Sequence, residues 1–188
     1  MNCIFLGSFD PPTLGHAHLI SKALEVGETR IVIIPSWSNP WKPEQTWYEH
    51  RLRMCEEFVK LWDGNKVTVS DIEYQIAMET ENPDFIPTID VLRKLERPFK
   101  ILITNETYAE IERWKDGDKV LEENEFLVFN IDRFGKHIGE GHWMTDLNIS
   151  STMVRELLRK GIECPEYLSE SVYKYIKNEI PYYNRPSE

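Results

Sequence analysis

The stretch Asn2-Cys3-Ile4-Phe5-Leu6-Gly7-Ser8-Phe9-Asp10-Pro11-Pro12-Thr13-Leu14-Gly15-His16 decides the fold. Residues 2–6 form a short apolar run ended by Gly7, which suits a buried strand. From Leu14 the period changes. Leu14, His18, Leu19, Ala23 and Val26 recur at helical spacing until Gly27 stops the pattern. The turn from Gly7 to Thr13 therefore leads from a strand into the start of a helix, where unpaired N–H groups and the helix dipole favour an anion. Near the other end of the chain, Ile149-Ser150-Ser151-Thr152-Met153-Val154-Arg155 has the same loop-into-helix character. Two such helix starts in one small domain point to a nucleotide held from both ends.

Outward from these segments, strand and helix patterns alternate. Residues 30–34 are a β-branched strand closed by Pro35, 36–46 a loop, 47–62 a long helix and 66–70 a third strand. Residues 71–85 read as acidic and irregular, with 79–84 a solvated face. A helix over 87–95 opens on proline, where the missing N–H does no harm. Further strands are expected at 99–103 and 126–129, with a weak sixth at 142–147. A helix over 106–115 should stop at Asp116-Gly117-Asp118, and helices over 151–160 and 169–177 close the chain. This order predicts an α/β fold of three layers, α/β/α, around a mainly parallel sheet of five to six strands. Ligands of such sheets sit beyond the carboxyl ends of the strands, at the topological switch point.

Composition narrows the function classes. The 188 residues suit one domain over 1–183 followed by a flexible tail at 184–188. Side chains are 41% hydrophobic and 29% charged, an ordinary globular mix. With 32 acidic against 22 basic residues the net charge is −10, which argues against a nucleic-acid partner. Such a chain repels phosphates at long range, so a phosphate site must be built locally from Lys, Arg and backbone N–H groups. Cys3, Cys55 and Cys164 are few, odd in number and dispersed, which fits reduced thiols in a cytoplasmic protein. No apolar run approaches the roughly 20 residues that span a bilayer, and no basic region precedes the first apolar run, so neither membrane insertion nor a signal peptide is expected. Homo-oligomerisation is compatible with the sequence and is not fixed by it.

Gly15 in the first turn of a helix costs about 1 kcal/mol relative to alanine. A ligand approaching the helix end would account for it. His16 lies in the same turn, where the dipole disfavours an imidazolium unless a phosphate is bound. Thr13, three residues earlier, shares its face. His18 points elsewhere and reads as a packed or surface histidine. In the second segment Ser150, Ser151 or Thr152 can cap the helix. Three residues after Thr152, where a capping box would place Glu or Gln, stands Arg155, a cation at the unfavourable end of the dipole. A bound anion would remove the conflict.

These residues carry a resemblance. Gly7-Ser8-Phe9-Asp10-Pro11 with Thr13-Leu14-Gly15-His16 is similar to the first signature of the nucleotidyltransferase superfamily, whose hallmark is His/Thr-x-Gly-His, and Ile149-Ser150-Ser151-Thr152-x-Val154-Arg155 resembles its second. Between them, several features resemble the nicotinate- and nicotinamide-mononucleotide adenylyltransferases. Asn39-Pro40-Trp41-Lys42 looks like that branch's Pro-His-Lys loop with Trp41 in place of His. Arg51 and Met54 match its Arg-x-x-Met helix, and Thr88, Asp90 and Leu92 match its Ser-Tyr-Thr-x-Asp-Thr-Leu segment. Trp114, the strand at 126–129 with Arg133, and Val172 to Ile176 followed by Tyr182 complete the match. Two departures stand out. Thr104-Asn105-Glu106 replaces Gly-x-Asp, and Pro87 replaces the Tyr where the pyridine ring is expected.

The resemblance implies a Rossmann-like fold and transfer of AMP from ATP to the 5′-phosphate of a pyridine mononucleotide, with release of pyrophosphate. It assigns His16, Thr13, Lys42 and Arg155 to the chemistry. Gly7, Ser8, Phe9, Gly15, Ser151, Thr152 and Arg133 go with them to the ATP site. Lys42, Arg51, Thr88, Glu106 and Trp114 go to the substrate site, Glu106 to a ribose hydroxyl and Trp114 to ring stacking. Mg²⁺ would bridge phosphate oxygens, with no metal cage of side chains. Trp37, Trp41, Trp47 and Trp62 read as packing residues. Rival readings are another nucleotidyltransferase, such as phosphopantetheine adenylyltransferase, and a non-catalytic nucleotide-binding domain. An NAD-dependent oxidoreductase is disfavoured because no Gly-x-Gly-x-x-Gly turn follows the first strand.

Overall fold

In a computed structural model of the chain, which describes residues 2–42, 44–81 and 83–180, the strands are β1 (Asn2–Gly7), β2 (Arg30–Pro35), β3 (Val67–Val69), β4 (Phe99–Thr104), β5 (Glu125–Asn130) and β6 (His142–Trp143). They form one parallel sheet in the order β3-β2-β1-β4-β5-β6. The chain builds outward from β1 to β3, then crosses back and builds outward from β4 to β6. The switch point therefore lies between β1 and β4. There the strands part early: β1 pairs with β4 only as far as Ile4↔Ile101, while it pairs with β2 to its last residue, Gly7↔Pro35. Such sheets bind ligands beyond the carboxyl ends of the strands at this point.

The helices are α1 (Leu14–Glu25), α2 (Tyr48–Phe58), α3 (Ile72–Glu79), α4 (Thr88–Lys94), α5 (Asn105–Tyr108), α6 (Gly117–Glu123), α7 (Ser151–Arg159) and α8 (Glu170–Glu179). Strand alternation sends side chains to two cores. Cys3, Phe5, Ile31 and Ile33 face α1, α2, α7 and α8 through Ile20, Phe58, Val154 and Ile176. Ile4, Ile34, Ile101 and Ile103 face α3, α4 and α6 through Ile76, Leu92 and Val120. The three layers and parallel sheet are those expected from the alternating patterns.

Three local expectations need correction. Residues 71–85 are not irregular throughout, because α3 forms within them and buries Glu73, Ile76 and Ala77. A single helix over 106–115 does not form: α5 is followed by a 3₁₀ turn, Ile111–Arg113, and Trp114 is extended. Asp116-Gly117-Asp118 begins α6 instead of ending a helix. A Cβ on Gly117 would lie 2.0 Å from the Ile111 carbonyl oxygen, so only glycine allows this tight return. The flexible tail expected at 184–188 and the matched Tyr182 lie outside the described residues. No helix among the described residues is long and apolar enough to cross a membrane.

Candidate active site

The turn after β1 is held from several sides. Phe9 adopts a left-handed backbone conformation (φ 48°) and buries its ring edge-on against Phe5 at 5.1 Å. Its side chain is thus core. The Gly7 carbonyl accepts from Ser36 N–H at 2.9 Å. Arg51 is fully buried, and its fork donates to the carbonyls of Thr46 (2.8 Å), Ser8 (2.9 Å) and Trp37 (2.8 Å). That geometry leaves no edge of the guanidinium for a substrate. Arg51 supports the loops that carry the site, which is a different part from the substrate contact the sequence suggested.

His16 is oriented by its own helix start. Thr13, the N-cap of α1, donates its backbone N–H to His16 Nδ1 at 2.9 Å, and its hydroxyl lies 2.9 Å from the same nitrogen. His16 thus occupies the capping-box position usually held by Glu or Gln. Because Nδ1 accepts a backbone N–H, the neutral ring carries its proton on Nε2. Burial, with help from the Lys42 charge, pushes the imidazole down to about 4, so the ring is neutral at pH 7. It is therefore a fixed, uncharged N–H donor. Thr13 is wholly buried, so it orients the imidazole and does not itself reach a phosphate.

The second signature closes on the first across 140 and 145 residues of sequence. Ser151 donates its hydroxyl to the Pro11 carbonyl at 2.8 Å, and Arg155 donates to the Asp10 carbonyl at 2.6 Å. Ser150, not Thr152, is the N-cap of α7, accepting from Met153 N–H at 3.1 Å. Arg155 folds back toward that helix start, with its second amino group 3.4 Å from the Thr152 hydroxyl. Gly15 has an unforeseen partner. A Cβ there would lie 3.0 Å from the Ile149 carbonyl oxygen, so its bareness lets the two signatures touch. Ligand clearance is not needed to explain it.

Lys42 reaches in from the loop after β2, its ammonium 3.3 Å from the Ser8 hydroxyl. Its pKa is lowered by burial and by the nearby Arg155 charge. Two cations facing one another at a helix start form a site that an anion between them would stabilise. Trp41 and Trp47, at either side of Lys42, are each 78% exposed and so do not pack as expected, whereas Trp37 and Trp62 do.

Across the switch point, Glu106 starts beyond β4 and pairs with Arg133 at 3.5 Å. Arg133 also pairs with Asp146 at 3.0 Å. Thr88 is the first residue of α4, and Trp114 packs against the second core, the same core that Trp37 joins. The structure thus gathers Ser8, His16, Lys42, Ser151 and Arg155 at one place and sets Thr88 and Trp114 on the opposite face of the sheet. His18 is packed, with its Nε2 buried and unpartnered. Among the described residues no group of three or more His, Cys, Asp or Glu side chains is placed to hold a metal ion. The sequence reading missed Glu73, buried in the apolar face of α3, whose carboxylate accepts from Trp37 N–H at 2.6 Å. Burial pushes that carboxyl up to about 8. A glutamate at helical spacing with Ile76 and Ala77 was its only signal.

The cytidylyltransferase-like family profile matches residues 4–157, which takes in both signatures, most of β1 and the five later strands. The chain belongs to the cytidylyltransferase-like family. Within this nucleotidyltransferase family, a curated relative from Leptospira interrogans, named "Probable nicotinate-nucleotide adenylyltransferase", is 30% identical over 195 residues, covering 94% of each protein. A Campylobacter jejuni protein of the same name is 29% identical over 175 residues, covering 92% of this chain and 94% of the other. The Plasmodium falciparum nicotinic acid mononucleotide adenylyltransferase complexed with NaAD superposes with a TM-score of 0.77 at 20% identity. That match covers 100% of this chain and 98% of the other, and it shows the same fold.

Proposed function

We propose that this nucleotidyltransferase moves AMP from ATP to the 5′-phosphate of nicotinate mononucleotide, giving the dinucleotide and pyrophosphate. The observation that carries the reading is the meeting of Ser8, His16, Lys42 and Arg155 where β1 ends. An acceptor phosphate oxygen attacks the α-phosphorus in line. The new P–O bond forms as the bond to the bridging oxygen breaks, and that electron pair leaves with pyrophosphate. The attacking phosphate is already an anion at neutral pH, so no general base and no covalent enzyme intermediate are needed. Catalysis is positioning and charge stabilisation.

His16 Nε2–H donates to an α-phosphoryl oxygen while Thr13 holds the ring. Lys42, Arg155, Ser151 and Thr152 take the β- and γ-phosphates, aided by the N–H groups around Ser8 and Phe9. Trp114 stacks on the pyridine ring and Glu106 takes a ribose hydroxyl, exchanging its weak pair with Arg133. Thr88 flanks the ring. Magnesium bound with the triphosphate would offset phosphate charge, and Lys42 and Arg155 would hold the charged complex. Three free, buried thiols support a reducing, cytoplasmic setting.

The test is turnover with ATP and, in separate reactions, nicotinate mononucleotide, nicotinamide mononucleotide and 4′-phosphopantetheine, with product identified by mass. Nicotinate adenine dinucleotide at the highest kcat/KM supports the proposal. Preference for either other acceptor, or no pyrophosphate from any, refutes it.

A further inference from the structure

We propose that Trp37 is a positioning residue for the acceptor nucleotide. Its indole ties residues 83–87, which lead into Thr88, to the loop that carries Lys42. The inference rests on the acceptor site assigned above, and it concerns a residue assigned to neither substrate.

The backbone of Trp37 is gripped at both ends. Its N–H donates to Glu73 at 2.6 Å, and its carbonyl accepts from Arg51 at 2.8 Å. The same guanidinium holds the Ser8 carbonyl at 2.9 Å. From this fixed point the indole Nε1–H donates across 46 residues of sequence to the Pro83 carbonyl at 3.0 Å. The next residue repeats the tether, Ser38 donating its hydroxyl to the Asp84 carbonyl. The indole is also held by its neighbours, with ring centroids 5.3 Å from Tyr48 and 6.1 Å from Tyr74. A continuous chain of hydrogen bonds therefore runs Ser8–Arg51–Trp37–Pro83.

Its two ends lie in the two halves of the proposed site. Ser8 and Lys42 belong to the phosphate end. Residues 83–87 have no helix or strand of their own and run directly into Thr88 at the acceptor end. An irregular segment has many backbone conformations open to it unless side chains or neighbours fix it. Apolar packing alone would be satisfied by a phenylalanine at position 37. The indole N–H adds a directional bond that sets where the acceptor segment sits relative to the lysine loop, and in-line transfer is sensitive to that distance.

The variant Trp37→Phe keeps the packing and deletes the N–H, and Ser38→Ala deletes the second tether. With each, KM for nicotinate mononucleotide should rise about fivefold, the scale of one hydrogen bond. KM for ATP should stay within about twofold, and thermal melting should be nearly unchanged. Hydrogen exchange in the unliganded protein should speed up across 83–88 and not around Ser8. The proposal is overturned if both KM values are unchanged, if both rise in parallel, or if exchange at 83–88 matches the wild type. A wild-type protein that used no pyridine mononucleotide would instead overturn the assigned reaction, and the exchange result would still decide whether Trp37 tethers the segment.

Discussion

Replacing His16 separates the job the structure gives one ring nitrogen from the job proposed for the other. Nδ1 accepts the Thr13 N–H at 2.9 Å, which caps α1, and Nε2–H is the proposed donor to the transferring phosphoryl group. With the imidazole at about 4, only about one ring in a thousand is charged at pH 7, so the donor is neutral and present throughout the physiological range. Removing one preorganised donor from a phosphoryl or oxyanion site costs about 3–4 kcal/mol in the transition state, or roughly 10²–10³ in kcat. Removing the cap acceptor costs about 1 kcal/mol in folding. His16→Ala should show both losses. His16→Gln should restore the cap, since glutamine is a regular capping-box partner, while kcat stays down by at least about tenfold. Pyrophosphate release at saturating substrates and thermal melts read the two effects separately. The same ring sets a pH dependence. Its folded value lies below the ordinary 6.5, so between about 4 and 6.5 the unfolded chain binds more protons. Stability rises with pH through that window and is lost on acidification, by about 3 kcal/mol in all. His16→Ala should flatten that slope. An alanine variant that turns over within about threefold of the wild type would refute the donor role.

Glu73 should give the opposite slope. Its carboxyl is raised from 4.5 to about 8, so its contribution to stability is full below 4.5 and drains away as pH rises through 8. Glu73→Gln should melt higher than the wild type at pH 9 and alike at pH 5. An unchanged melt at pH 9 would mean the carboxylate is better solvated than its burial implies. Lys42→Met should lower kcat/KM for ATP by about tenfold or more, the scale of a charge-assisted hydrogen bond, without lowering the melting temperature, and a normal ATP KM would remove Lys42 from the site. Gly117→Ala should destabilise by about 2 kcal/mol or more, because its Cβ would stand 2.0 Å from the Ile111 carbonyl oxygen. A wild-type melt would show that the turn relaxes.

The strands were legible because their signals are local. Arg30–Pro35 and Phe99–Thr104 are β-branched or apolar runs with turn residues after them, and buried parallel strands need little else. The start of α1 stood out because Thr13, Gly15 and His16 sit within one turn. α3 was hidden by its own buried acid: Glu73 occupies a core-facing position, so the apolar stripe of Ile76 and Ala77 looked broken. The break at Trp114 and the start of α6 depend on how closely Gly117 approaches Ile111, a tertiary fact with no local pattern. Arg51 was visible as a conspicuous cation, but its three carbonyl partners come from two loops, those after β1 and β2, so its supporting part could not be read from neighbours in sequence. Gly15 misled for the same reason, since Ile149 is its constraint.

That contact between Gly15 and Ile149 bears on the order in which the protein becomes competent. A nascent chain has synthesised every strand of its sheet once Trp143 is made. The partners of the Asp10 and Pro11 carbonyls have yet to emerge, and the proposed ATP site closes only when Ser151 and Arg155 arrive. Closing a loop that long costs entropy that a fully formed sheet has already largely met. Turnover during translation would therefore switch on late and abruptly, after the scaffold is complete.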